Sequence, residues 1–210
     1  MAERTTEAST VPIPLLERKQ RAARNRIVDA AEALFVERGY DAVSVTDIAE
    51  RAEVGRTTFF RLFGDKAEVV FAKERAMFDA IADATVAVAP DAARVDSVSG
   101  ALSFLEPLVL QLCEQATADP AAYRRHTLLL DAHEELRARD ALKNQHIATE
   151  LTRLLRKHNA PHDVATVAAQ LALACHSSGR ILATSPGGLV TETRAAFRSL
   201  LAMNPGPSPA

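Results

Sequence analysis

The segment Ser44-Val-Thr-Asp-Ile-Ala-Glu-Arg-Ala52, Glu53-Val54-Gly55, Arg56-Thr-Thr-Phe-Phe-Arg-Leu-Phe63 decides how this chain is read. Ser44 with Asp47 three residues later is a capping-box-like helix start, with Asp in place of the usual Glu. Ile48, Ala49 and Ala52 make the buried side of that short helix. Only Glu53, Val54 and Gly55 separate it from a second short helix, Arg56 to Phe63, which Gly64 ends. Two short helices on a tight turn form a helix-turn-helix.

The neighbouring sequence supports the pair. Upstream, a helix over about Arg18 to Arg38 places Ile27, Ala30, Ala31, Leu34 and Phe35 on one stripe, and Gly39 supplies its stop. Downstream, Asp65 is the cap of a long helix, with Glu68 in the capping-box position. Val54, Phe59 and Phe63 are expected to face inward against Ile48 and the Ile27/Leu34/Phe35 stripe. Arg56, Thr57, Phe60 and Arg61 are then left facing out.

A second block follows Pro90. Its expected helices are 95–118, with Pro107 as a kink or break, then 120–132, 134–158, 162–183 and 188–203. Pro120 and Pro161 sit near helix starts, and Pro186-Gly187-Gly188 is a turn. The chain therefore reads as all-α with about nine helices. The expected organisation is a flexible arm at 1–15, a three-helix unit at 16–65, a larger helical domain at 66–203, and a disordered tail at 204–210.

Composition narrows the class. Of 210 residues, 48% are hydrophobic and 25% charged, enough apolar material for a packed core and too much for a disordered chain. The apolar runs fall far short of the roughly 18 residues of a membrane span. Two cysteines cannot build a disulfide framework. With no charged-then-apolar leader evident, the cytoplasm is the expected compartment and no membrane partner is expected. The net charge of −2 does not announce a nucleic-acid ligand. The distribution is more telling: Arg18, Lys19, Arg21, Arg24 and Arg26 cluster, and Arg51, Arg56, Arg61 and Lys66 recur every five residues.

The outward face of the third helix carries chemistry suited to base edges. Arginine donates two parallel hydrogen bonds to guanine, and threonine offers a hydroxyl or a methyl. Ser44 and Thr46 at one helix start, and Lys66 at another, are placed for phosphate.

The stretches 27–40, 44–52 and 57–66 together resemble the DNA-binding domain of TetR-family transcriptional regulators, with the spacing of all three blocks matched without a gap. The resemblance implies a homodimeric and usually repressing regulator of a palindromic double-stranded operator, released by a small molecule bound in its C-terminal helical domain. It implies base contacts at Arg56, Thr57, Thr58 and Arg61, and phosphate contacts at Ser44, Thr46 and Lys66. Departures stand beside it. Phe60 replaces a frequent Tyr, Leu62 a frequent His or Tyr, and Gly55 a frequent Ser. Thr58-Phe-Phe-Arg61 and Glu134-Glu-Leu-Arg-Ala-Arg139 look like the branch with mycofactocin-type regulators, which suggests acyl-CoA-like effectors.

In the second block, Phe104, Leu105, Leu108, Leu112 and Leu128 are candidates to line an apolar cavity. Arg124, Arg125, His126 and His133 are candidate polar anchors, which would favour an amphipathic or anionic effector. Taken singly, each apolar residue is better explained as core, and Arg124 and Arg125 as a solvated pair. Residues 162–183 carry two apolar stripes, so that helix is buried on two sides. A two-fold four-helix interface through Ala168, Leu171, Ala172, Cys175, Phe197 and Leu200 would supply the second side. The alternative is that these residues complete the monomer core.

An enzyme and a helical interaction module without DNA binding are the rival readings. Cys113, His126, His133, Cys175 and His176 lack metal-ligand spacing, and the adjacent Cys175 and His176 diverge by about 100° on a helix. No glycine-rich phosphate loop, cofactor motif or catalytic set is present, so neither catalysis nor a cofactor is expected.

Overall fold

The computed structural model describes residues 14–72 and 95–203, and the chain divides into two compact units, Met1–Ala72 and Lys73–Ala210. Nine helices occur among the described residues, with no strand. The first unit holds α1 (Leu15–Arg38), α2 (Val45–Arg51), α3 (Arg56–Phe63) and α4 (Lys66–Val70). The second holds α5 (Val98–Ala116), α6 (Pro120–Ala132), α7 (Glu134–Lys157), α8 (His162–Leu182) and α9 (Gly188–Met203). The all-α expectation holds. The expected arm at 1–15 overlaps α1, which already begins at Leu15; the rest of that arm, the tail and the expected continuation of the helix after Asp65 fall on residues 1–13, 204–210 and 73–94, outside the described residues.

The first core is made by the stripe that the sequence displays. Ile27, Ala31, Leu34, Ile48 and Phe59 are essentially solvent-free, and Phe63 closes the cluster. Val69 and Ala72 belong to it as well, so this unit extends past the expected limit at 65.

The turn between α2 and α3 has a physical reason that composition does not advertise. Its left-handed residue is Glu53, at φ 53°, while Gly55 is extended at φ −70°. The amide of Val54 reaches the Ala49 carbonyl at 3.0 Å, and that of Glu53 reaches Glu50 at 3.1 Å. This is a Schellman closure, in which the residue after the left-handed one returns to the core. The same closure ends α7: Asn159 takes φ 64°, and buried Ala160 bonds back to Leu155.

In the second unit α8 packs against α5, α7 and α9. Its alanines at 165, 168, 169 and 172 are fully buried, which lets the helices approach closely. Helix α5 runs through Pro107, whose ring faces solvent, so the residue is not a break. The tightest approach is at Gly179. A Cβ there would stand 2.1 Å from Thr193 Oγ1 and 2.8 Å from the Thr193 backbone nitrogen. Thr193 is itself fully buried.

Because backbone cannot yield as a flexible side chain does, Gly179→Ala is expected to cost about 1–3 kcal/mol of stability. Thr193→Ala in the same chain should restore only part of it, since the backbone clash remains. Thermal denaturation of both variants checks this, and an unchanged midpoint in Gly179→Ala would contradict the close approach.

Candidate nucleic-acid interface

Helix α3 is held from below by two rings. Phe59 and Phe63 are 0% and 6% exposed, with centroids 5.9 Å apart. Their burial turns Arg56, Thr57, Phe60 and Arg61 to the opposite face, and all four are exposed. Neither Arg56 nor Arg61 has a hydrogen-bond or ion-pair partner among the described residues. Thr58 is half-buried at the edge of that face. Gly55 offers no side chain to cap the helix, so the first turn keeps its amides uncapped by any side chain.

Several basic residues that read alike in the sequence have separate duties. The Arg24 guanidinium donates to the Leu62 carbonyl at 3.0 Å and lies 4.3 Å above the Phe63 ring, at the carboxyl end of α3. Arg26 Nε donates to the Ala52 carbonyl at 3.0 Å, at the carboxyl end of α2. A cation at a helix C-terminus is favoured by the partial negative charge there. Arg51 makes a bidentate pair with Glu37, at 2.6 and 2.7 Å, and Arg38 reaches Asp47 at 3.4 Å. Arg24, Arg26 and Arg51 thus serve the unit itself, which shortens the basic face expected from the clusters.

Two of the expected phosphate contacts are also engaged internally. Ser44 and Asp47 form the reciprocal capping box: the Asp47 amide donates to Ser44 Oγ at 3.1 Å, and the Ser44 amide donates to Asp47 Oδ2 at 2.8 Å. The Ser44 hydroxyl also bonds Asp47 Oδ2. A phosphate would therefore have to compete with that carboxylate for it. Lys66 Nζ donates to the carbonyls of Tyr40 at 2.7 Å and Val43 at 2.9 Å, and sits 4.0 Å from the Tyr40 ring centroid. Two of its three donors hold the turn before α2, leaving at most one for a phosphate. Thr46 is half-buried in the first turn of α2.

The second unit has a cavity of about 80 Å³ between α5, α6, α7 and α8. Val109, Leu112, Ile147, Leu151 and Leu173 form its apolar wall, and Tyr123, His126, Asp140, Asn144, His176 and Arg180 supply polar groups. Of the eight ligand residues expected from sequence, only Leu112 lines it. Leu105 and Leu108 are buried in the helix core. Phe104 packs on the His158 ring at 4.7 Å between centroids. Arg124, Arg125 and Leu128 point to solvent. The His133 Nδ1 lies 2.9 Å from the Leu129 carbonyl in the turn between α6 and α7. His126, considered as an anchor, does line the cavity. The charged groups that sequence reading missed are Arg180 and Asp140, joined at 2.9 Å across 40 residues of chain.

The expected dimer residues need a similar correction. Ala168, Ala172, Cys175 and Phe197 lie inside this unit's own core, each at most 4% exposed. They are covered within the unit, where α5, α7 and α9 pack against α8. Leu171 and Leu200 remain half-buried. Burial pushes the thiols of Cys113 and Cys175 up from their usual range, so both are protonated at neutral pH and unsuited to nucleophilic attack.

Residues 27–72 match the family model described as bacterial regulatory proteins, tetR family. The first unit is a TetR-family domain. It is 44% identical over 55 residues to the HTH-type transcriptional regulator TcmR of Streptomyces glaucescens, covering 26% of this chain and 24% of that protein. It is 46% identical over 44 residues to the regulator YdeS of Bacillus subtilis, covering 21% and 22%. The match thus spans about a quarter of the length of these curated relatives, each named as a transcriptional regulator and neither as an enzyme. The fold of the longer chain resembles Thermus thermophilus FadR, a TetR-family repressor solved with lauroyl-CoA, at TM-score 0.57 and 23% identity over 89% of this chain and 97% of that one. A regulator from Aquifex aeolicus gives TM-score 0.53 at 18% identity over 85% and 99%. Among the described residues, no helix is long and apolar enough to cross a membrane.

Within the TetR-family domain, the departures at 60 and 62 have distinct outcomes. Phe60 stays 45% exposed, edge-on to Phe59, whereas Leu62 turns half-inward and packs against the core. The hydrogen bonds from Arg51 hold the Glu37 carboxyl below its ordinary 4.5, and the Ser44 cap holds that of Asp47 below its ordinary 3.8. A depressed carboxylate pKa stabilises the fold above the ordinary value, and that contribution drains away as pH falls through the folded one. Glu37→Gln should therefore be less stable than wild type at neutral pH, with the gap closing below pH 4.5. Melting curves from pH 7 to about pH 3 check this; a gap unchanged across that range would be evidence against the pair.

Proposed function

We propose that the chain is a ligand-responsive, sequence-specific DNA-binding transcriptional regulator. It acts in the cytoplasm as a homodimer on a palindromic operator and is released, as a repressor, by a small molecule. The observation that carries the reading is the outward pair Arg56 and Arg61 on a helix whose other side is anchored by Phe59 and Phe63. An α-helix fits the major groove, and the N-terminal part of a recognition helix meets base edges there. Arg56, Thr57, Phe60 and Arg61 are assigned to bases, a sugar or a thymine methyl. Thr58 takes a position at the margin. Ser44, Thr46 and Lys66 flank the phosphates, with the cap and the turn limiting what Ser44 and Lys66 contribute.

A dimer is needed because one eight-residue helix reads only a few bases, and paired half-sites one helical turn apart multiply the discrimination. Support comes from α8 and α9, which carry exposed apolar side chains: Val167 at 46%, Ile181 at 82% and Met203 at 81%. Effector and DNA affinities are coupled reciprocally, so a ligand that weakens operator binding is itself bound more weakly on the operator.

Genomic footprinting of the purified protein finds the operator, and duplex titration then tests the assignments. Affinity should fall steeply as salt rises. Arg56→Ala should cost about 1–3 kcal/mol of specific binding, relax specificity at one position and leave the melting temperature unchanged. Lys66→Ala should weaken all sequences about equally and also lower the melting temperature, because it releases the turn at Tyr40 and Val43. Salt-independent or absent duplex binding would favour the interaction-module reading instead.

Sedimentation velocity at micromolar concentration should show a dimer. Ile181→Asp should shift it towards monomer and weaken duplex binding; a wild-type monomer rejects the dimer.

A further inference from the structure

We propose that the phenyl ring of Phe60 reads the C5-methyl group of a pyrimidine in the major groove, so that 5-methylcytosine can stand in for thymine at the base it meets. This rests on the DNA-binding reading above and gives Phe60 one target where that reading leaves several.

The ring is placed unlike the other phenylalanines described in its unit. Phe59, Phe63 and Phe71 are at most 6% exposed and Phe35 is half-buried, whereas Phe60 stays 45% exposed. Its neighbours on the outward face are Arg56 and Thr57 one turn earlier and Arg61 beside it, all exposed and all polar. Among the described residues its ring contact is with Phe59, at 5.8 Å between centroids and 84° between planes. That edge-on contact is a favoured aromatic geometry, and it steadies one side of the ring while the other side stays in water. Apolar surface held in place and left in water is stabilised by an apolar group brought against it.

A duplex offers such a ring three surfaces. Phosphate is excluded, because a phenyl group carries no hydrogen-bond donor. The base edges in the major groove present donors and acceptors, with one exception, the C5-methyl of thymine. Against the polar groups the ring would remove water without replacing its hydrogen bonds, which costs rather than gains. The methyl needs no such bond, and covering it removes apolar surface of both partners from water. Deoxyribose is partly apolar too, but contacts to the sugar carry no sequence information. The position of Phe60 favours the base edge over the sugar. It lies midway along α3, with Arg56 and Thr57 on the turn before it and Arg61 after it, so a helix that brings those residues into the groove brings the ring with them. Cytosine methylated at C5 carries the same group at the same ring position. The phenyl ring therefore tells methyl from no methyl, rather than thymine from cytosine.

Anisotropy titration of the full-length protein on its footprinted operator tests this, with each thymine replaced in turn by deoxyuridine, which lacks only the methyl. At one position in each half-site the replacement should weaken binding about three- to fivefold. Phe60→Ala should abolish the difference between thymine and uracil at that position, while leaving the differences elsewhere and the melting temperature of the protein little changed. Cytosine placed there, paired with guanine, should bind more tightly when methylated at C5, and that gain should also vanish in Phe60→Ala. Phe60→Tyr, which keeps the ring, should keep both effects. A scan in which no deoxyuridine weakens binding would overturn the assignment. So would a thymine–uracil difference that survives Phe60→Ala, or one that collapses instead in Thr57→Ser, which loses only the threonine methyl. A loss in Phe60→Ala that is the same for every pyrimidine would place the ring on a sugar and overturn it likewise. Failure to bind any duplex would remove the DNA-binding reading and this inference with it, whereas duplex binding with a flat scan removes this inference alone.

Discussion

The first unit depends on the burial of Phe59 and Phe63 on one side of an eight-residue helix. A helix this short has little stability of its own, so its orientation is set by what it packs against. Two fully committed rings leave it one rotational setting, and that setting presents Arg56, Thr57, Phe60 and Arg61 together. Arg24 then fixes its far end by holding the Leu62 carbonyl while covering the Phe63 ring. Apolar burial chooses the face and a cation at the carboxyl terminus steadies it.

The same division runs through the other charged residues. Arg26 on the end of α2, Lys66 on the turn before it and Arg51 against Glu37 all face partners within the unit. Arg26 satisfies a carbonyl left open at the end of a short helix, Lys66 satisfies two carbonyls of the turn, and Arg51 pairs with a carboxylate of α1. The outer face keeps Arg56 and Arg61 but is less basic than the clusters in the sequence suggest, because much of the basic inventory of this unit is internal scaffolding.

Local signals in the sequence carried most of this. The capping box at Ser44 and Asp47, the cap at Asp65 and the period of Ile27, Ala31 and Leu34 all act within a few residues of chain, and they read true. Long-range partners did not announce themselves. Arg24 and Leu62 are 38 residues apart and Arg180 and Asp140 are 40 apart, and an arginine bound for a carbonyl looks the same in sequence as one bound for solvent. In α8 the double apolar stripe correctly implied burial on two sides. Periodicity cannot say whether the cover comes from the same chain, and here α5, α7 and α9 bury Ala165, Ala168, Ala169 and Ala172. Leu105 and Leu108 illustrate the same limit: their helical spacing is the same whether they meet a void or a neighbour, and here both are buried in the helix core.

Arg56 and Arg61 support nothing else in their unit, and Thr57 and Phe60 share their solvent-facing position. The scaffold beneath is complete without the arginines. Their replacement consequently carries little folding penalty, and what the unit recognises is free to drift over generations while its architecture stands still. A duplicated copy of this segment could acquire a new target by changing a handful of surface codons, with no compensating repair in the interior.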